Sequence, residues 1–221
     1  MNASDKINVG TLARCLLRRK TMKERFRLPL TEEQARDVLL AAIEAEVEYR
    51  HRTFSDNDDV RNAVRQMTRW LTSDNPKFGM LLCGGCGNGK STFLKAFQTM
   101  LNYLQIPSPY NQGAYGIRIV DAKYASYLCR KDYAEFMRLA GYEMLGLDDL
   151  GTEPRELLDF GNVITPVIDL LTKRYDEQLF TIATTNLSPA QIRERYGERI
   201  ADRLNEMMEK IVFRNETYRK P

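Results

Sequence analysis

The chain has little of what marks a membrane, secreted or metal-centred protein. No apolar run approaches the ~20 residues needed to cross a bilayer, and residues 1–10 lack the apolar core of a secretory signal. The four cysteines, Cys15, Cys83, Cys86 and Cys129, are too scattered for a disulfide framework, so a cytoplasmic location is the default expectation. There is one histidine, His51, with no second histidine and no cysteine near it. That excludes a zinc-type centre and leaves His51 as a helix-end residue. Internal repeats and low-complexity tracts are also absent. The net charge is only +3, yet residues 1–30 carry +6 and the remainder −3. A basic arm on a mildly acidic body suits a polyanion or an acidic protein surface, or is simply a solvated terminus. It lacks the interleaved aromatics that would stack on bases.

What is present is a phosphate-binding loop. Gly84-Gly85-Cys86-Gly87-Asn88-Gly89-Lys90-Ser91 fits G-x-x-x-x-G-K-[ST]. Residues 80–83 before it read as a buried strand. Residues 92–104 after it read as a helix with Phe93, Leu94, Phe97, Leu101 and Leu104 on one face. Strand, glycine loop and helix is the context the motif requires. Backbone N–H groups of residues 84–92, Thr92 included, would turn toward an anion at a helix N-terminus. Lys90 would neutralise the β- and γ-phosphates of ATP, and the Ser91 hydroxyl would ligate Mg²⁺.

The segment Met144-Leu145-Gly146-Leu147-Asp148-Asp149 is an apolar strand that ends in two carboxylates. Asp148 fits a Mg²⁺ ligand, and Asp149 fits the group that orients or deprotonates water. Fast ATPases commonly place Glu second; the shorter Asp149 predicts slow turnover until a partner completes the site. Thr184-Thr185-Asn186 closes another strand, and Asn186 would face the γ-phosphate if that strand lies beside the Asp148 strand. This is not the Asn-Lys-x-Asp pattern of guanine recognition. Arg199 and Arg203 lie four apart on one helical face. They can neutralise a transferred phosphoryl group or merely bridge to Glu198 or Glu206.

The remaining pattern predicts a helical region over residues 1–74 and a nucleotide-binding core over 75–221. Thr31-Glu32-Glu33-Gln34 reads as a capping box for a helix running to about residue 52. A second helix starts at residues 55–58, with Trp70 packing the helices onto the core. Strands are expected at 117–120, 144–147, 179–184 and 211–213, and a helix over 163–175. Strands alternating with helices predict an α/β fold with a parallel sheet.

Taken together, these residues resemble the DnaC/IstB family of AAA+ ATPases. The resemblance runs over roughly residues 77–219. It is carried by the phosphate loop, Leu147-Asp148-Asp149-Leu150-Gly151, Lys173-Arg174-Tyr175, Thr184-Thr185-Asn186-Leu187, Glu198-Arg199-Ile200-Ala201-Asp202-Arg203-Leu204 and Glu216-Thr217-Tyr218-Arg219. It implies a five-stranded parallel sheet without a C-terminal helical lid domain. It also implies ATP-dependent assembly into a homo-oligomer in which neighbours share each nucleotide. In that scheme Arg203 reaches the next subunit's γ-phosphate, with Arg199 as the alternative, and Arg219 is a second nucleotide sensor. The expected partner is a replicative DNA helicase gripped by the N-terminal helices, or a transposase if the chain is a transposition helper on duplex DNA. Lys123, Tyr124, Tyr127, Arg130 and Lys131 stand where family members contact single-stranded DNA, or else form a solvated face. A small-molecule kinase would need an arginine-rich lid, and no segment supplies one; a nucleotide-gated adaptor without catalysis is a further alternative. Cys83 and Cys86 flank the loop's first turn and read as two small buried residues.

Overall fold

The computed structural model describes residues 8–18, 24–110, 112–159, 161–215 and 217–218. Five strands form one all-parallel sheet: β1 (Gly79–Gly84), β2 (Arg118–Asp121), β3 (Met144–Leu150), β6 (Phe180–Thr185) and β7 (Met208–Phe213). Their spatial order is β2-β3-β6-β1-β7. β6 is therefore central, and β1 lies between β6 and the edge strand β7. β6 separates β1 from β3, so the loop after β1 and the ends of β3 and β6 share one edge of the sheet. A separate antiparallel hairpin, β4 (Leu157–Asp159) with β5 (Asn162–Ile164), follows β3.

Helices cover both faces, as the continuous apolar runs of the strands require. On one face lie α2 (Glu32–Glu48), α3 (Asp58–Thr72) and α4 (Lys90–Leu104), packed on Met80, Leu82, Ile182 and Ile211. On the other lie α5 (Ala122–Lys131), α6 (Tyr133–Ala140), α7 (Pro166–Asp176), α8 (Pro189–Tyr196) and α9 (Glu198–Met207), packed on Leu81, Leu145, Leu147 and Ala183. Neighbours Leu81 and Leu82 thus serve opposite cores. α2 and α3 have no core of their own. Leu39, Ile43, Met67, Trp70 and Leu71 belong to the same cluster as Phe93 and Phe97 of α4. Phe180 of β6 anchors the join, with ring centroids 5.5 Å from Phe26, 5.8 Å from Trp70 and 5.9 Å from Phe97.

Local chemistry sets the boundaries. The Thr31–Gln34 capping box forms as expected. α2 stops at Glu48, four residues short of the expected end, and His51 turns the chain with φ 55°. α3 is capped by Asn57, whose side chain accepts from the Val60 N–H. The helix expected over 163–175 begins only at Pro166. Residues 162–164 are strand β5, because Pro166 sits at the first helical turn and Thr165 precedes it outside helical geometry. α1 (Val9–Arg18) is an exposed helix. Among the described residues no helix follows β7, and none is long and apolar enough to cross a membrane.

Candidate nucleotide site

The loop between β1 and α4 closes on itself through tight backbone approaches. A Cβ at Gly84 would collide with the Asn88 side chain and lie 2.5 Å from the Phe213 carbonyl, so only glycine fits there. Asn88 itself is buried and donates to that carbonyl at 3.2 Å. Gly89, with φ 97°, turns the chain into α4 and aims its first N–H groups outward.

Lys90 curls back into the loop. Its Nζ lies 3.0 Å from Gly84 O, 2.6 Å from Gly85 O, 3.0 Å from Asn88 Oδ1 and 2.7 Å from Asn186 Oδ1. An ammonium has three protons for these four acceptors. Burial pushes the Lys90 ammonium below its ordinary pKa, and the negative charges of Asp149 and Asp148 only partly offset this. Asn186, 96 residues from Lys90 in the chain, reaches it because β6 lies beside β1.

Asp148 is the centre of a second set of contacts. Its Oδ1 accepts from Ser91 Oγ at 2.9 Å and from Thr184 Oγ1 at 2.6 Å. Thr184 Oγ1 in turn accepts from the Asp149 N–H at 2.8 Å. The strand pairing slips between Leu147 and Leu150, and Asp149 takes a left-handed φ of 54°. Such a conformation costs on the order of 1–3 kcal/mol in a non-glycine residue. Thr152 holds it through two hydrogen bonds to Asp149 O. Behind it the buried Glu153 accepts from the Gly151 N–H and is clamped by Arg195 and Tyr196 of α8. The carboxyl of Asp149 therefore stands at a kink, outside the ladder. Ser91 and Asp148 present two hard oxygens that already converge, which fits Mg²⁺, a cation that keeps several water ligands and needs few from protein.

The loop and the Asp149 kink border a cavity of about 830 Å³. Cys86, Gly87, Asn88, Gly89, Lys90, Ser91, Thr92, Asp149 and Asn186 line it. Ile43, Val47, Phe54 and Val60 from α2, α3 and their connection form an apolar far end. Tyr218 closes one side: its N–H donates to Gly87 O at 3.0 Å and its hydroxyl bonds Asn57. Thr184 and Tyr218 stand in segments that carry the resemblance but have no assigned role there; Thr152 and Arg50 stand in no motif, and only the fold brings them in. Arg219 lies outside the described residues.

Arg203 is not in the cavity. It stacks 4.7 Å over the Tyr175 ring and pairs with Asp176 at 3.2 Å, leaving Nη1 buried without a partner. Its partner is thus neither Glu198 nor Glu206. Arg199, on the same helix, is exposed. Lys123, Tyr124, Tyr127, Arg130 and Lys131 share the exposed face of α5. Cys86 is exposed rather than buried, and Cys83 is half-buried with its thiol pushed up by burial, which disfavours the reactive thiolate.

No family model and no curated protein matches the sequence. Solved structures do match. The crystal structure of the DnaC helicase loader superposes with a TM-score of 0.54 at 24% identity, over 72% of this chain and 93% of that one. The crystal structure of DnaI gives 0.58 at 20% identity, over 86% and 100%. The fold is the AAA+ fold of these proteins. The same fold appears in the replication initiator DnaA bound to AMPPCP and single-stranded DNA, with a TM-score of 0.52 at 13% identity over 74% of this chain and 49% of that one.

Proposed function

We propose that this AAA+ chain is an ATPase that acts as a DnaC-like loader of a replicative DNA helicase. The observation that carries the nucleotide part is the convergence of Lys90, Asn186, Ser91 and Asp149 on one large cavity, with Asp148 bonded to Ser91 directly behind its wall. The loop N–H groups and Lys90 would bind the β- and γ-phosphates, and the apolar end near Ile43, Val47 and Phe54 suits the base. Ser91 and Asp148 would hold Mg²⁺, which supplies positive charge beside the phosphates. Asp149 would orient the attacking water and take its proton, while Asn186 steadies Lys90 and faces the same space.

Arg203 does not line its own cavity and is held by Tyr175 and Asp176. Its place on α9 and its orphaned Nη1 support a role on a neighbouring subunit's nucleotide, and hence function as a homo-oligomer. The exposed basic and tyrosine-bearing face of α5 has the composition of a single-stranded DNA surface. The likeness to the DnaC helicase loader supports the helicase-loading reading.

The test is turnover measured against protein concentration, with and without single-stranded DNA and a ring helicase. The parent should accelerate as it assembles. Arg203→Ala should keep MgATP affinity but lose that acceleration, and Lys90→Ala should lose the affinity itself. Turnover per subunit that is flat with concentration, or untouched in Arg203→Ala, rejects the shared site. Cooperative filaments on duplex DNA, with no helicase bound, would replace loading by the transposition-helper role.

A further inference from the structure

We propose that Arg50, at the C-terminal end of α2, recognises the α-phosphate of the bound nucleotide and ties the N-terminal helices to nucleotide occupancy. This rests on the nucleotide-binding role proposed above. Arg50 stands two residues past the end of α2, and the left-handed turn at His51 carries the following chain along the cavity wall. The Arg50 Nη1 lies 3.2 Å from Thr92 Oγ1 in the first turn of α4, next to the Mg²⁺-ligand candidate Ser91. Both Arg50 and Thr92 line the cavity.

The electrostatics there are unbalanced. A helix N-terminus carries partial positive charge and is ordinarily met by an acidic residue, not by a cation. The first turn of α4 has no acidic residue, and Lys90 and Arg50 both crowd it. The charged residues lining the cavity are Arg50, Arg52, Lys90 and Asp149, three cations to one anion. Arg50 has one carboxylate within pairing distance, Glu46, at a loose 3.9 Å, and Glu46 also accepts from Thr99 at 3.1 Å. Such an arrangement is stabilised when an anion enters between the guanidinium and the helix end.

Position selects the phosphate. Lys90 and Asn186 hold the end of the cavity where Asp149 stands. Ile43, Val47 and Phe54 hold the other. Arg50 follows Val47 by one helical turn and bonds Thr92, the neighbour of Ser91, so it links the apolar lining to the phosphate loop, where the phosphate attached to the ribose would sit. The partial exposure of Arg50 leaves its guanidinium free to swing a short distance from Thr92 onto that phosphate.

The experiment is calorimetric titration of the full chain with MgADP and MgATP for the parent, Arg50→Ala, Arg50→Lys and Lys90→Ala, with melting temperatures measured without nucleotide. Arg50→Ala should weaken ADP and ATP equally, by about tenfold, the scale of one charge-assisted contact. Its nucleotide-free melting temperature should match the parent, and Arg50→Lys should recover part of the affinity. Affinities within about twofold of the parent, the scale of an ordinary surface substitution, overturn the inference. So does a loss confined to ATP, or an equal loss accompanied by a lower melting temperature and no recovery with lysine. If Lys90→Ala abolishes binding while Arg50→Ala resembles the parent, only this inference falls. A parent with no saturable affinity ends the nucleotide-binding role as well.

Discussion

Lys90 illustrates how one side chain carries both binding and a pH signature. Its ammonium is desolvated inside the loop, so its pKa is lowered in the free protein. Phosphate oxygens would restore the charged form and raise that pKa. MgADP affinity should therefore be level near neutral pH and fall as pH rises through the lowered value, with proton uptake on binding. Titrations in buffers of different ionisation enthalpy would detect that uptake; affinity flat to strongly alkaline pH would contradict it. The sign for stability is opposite. The unfolded chain keeps this proton to higher pH than the folded one, so the Lys90 contribution to stability rises across the same window. Asp149 offers a second test. Asn tolerates a left-handed φ at least as well as Asp, so Asp149→Asn should preserve the kink and MgATP binding. Turnover should drop by about 100-fold or more, the usual scale for a lost general base. A variant with parental turnover would assign water activation elsewhere. Motif spacing made Lys90, Ser91, Asp148 and Asp149 legible as candidates. The kink at Asp149 was not, because it arises from a slip in pairing between β3 and β6 and from hydrogen bonds to Thr184 and Thr152.

At the scale of elements, a buried arginine ties α7 to the starts of β3 and β6, at the end of the strands opposite the site. Arg174 of α7 is fully buried and has no carboxylate bonded to it. It donates to Ala140 O at the end of α6, Tyr142 O before β3, Phe180 O at the start of β6 and Thr181 Oγ1. Burial pulls its pKa well below the usual arginine range. The fork geometry lets one side chain satisfy carbonyls from three elements at once. Arg174→Leu should lower stability by about 3 kcal/mol or more, because several buried carbonyls lose their donors together. Arg174→Lys should rescue little, since an ammonium cannot span the fork. Urea unfolding measures both; losses near those of a surface substitution would deny Arg174 this role. The motif Lys173-Arg174-Tyr175 was visible as a resemblance, but nothing in its spacing distinguished a structural clamp from a functional cation. The end of β5 likewise reads as the start of a helix in the sequence, since Val163 and Ile164 continue the apolar spacing of α7 until Pro166 interrupts it.

For the molecule as a whole, the helical residues ahead of β1 are a layer of the core. The aromatic contacts of Phe26, Trp70 and Phe97 with Phe180 place α3, α4 and β6 in one packed unit. A fragment beginning at residue 75 would expose Phe93, Phe97 and Phe180 and should aggregate, whereas one beginning at residue 24 keeps Phe26 and should melt near the parent temperature. Size-exclusion chromatography and thermal unfolding decide this; a monomeric, cooperatively folding fragment 75–221 would show that the second core is sufficient. The sequence by itself determined the α/β alternation, the phosphate loop and the acidic strand end, because each is a local pattern of apolar period and turn chemistry. Tertiary structure alone decided which strand lies beside which, and therefore that Asn186 meets Lys90 and Thr184 meets Asp148. It also decided that Arg50 and Tyr218 wall the cavity while Arg203 turns away from it. Those relations join residues about 30 to 160 positions apart, and long-range pairing is fixed by burial of both sheet faces rather than by any local signal.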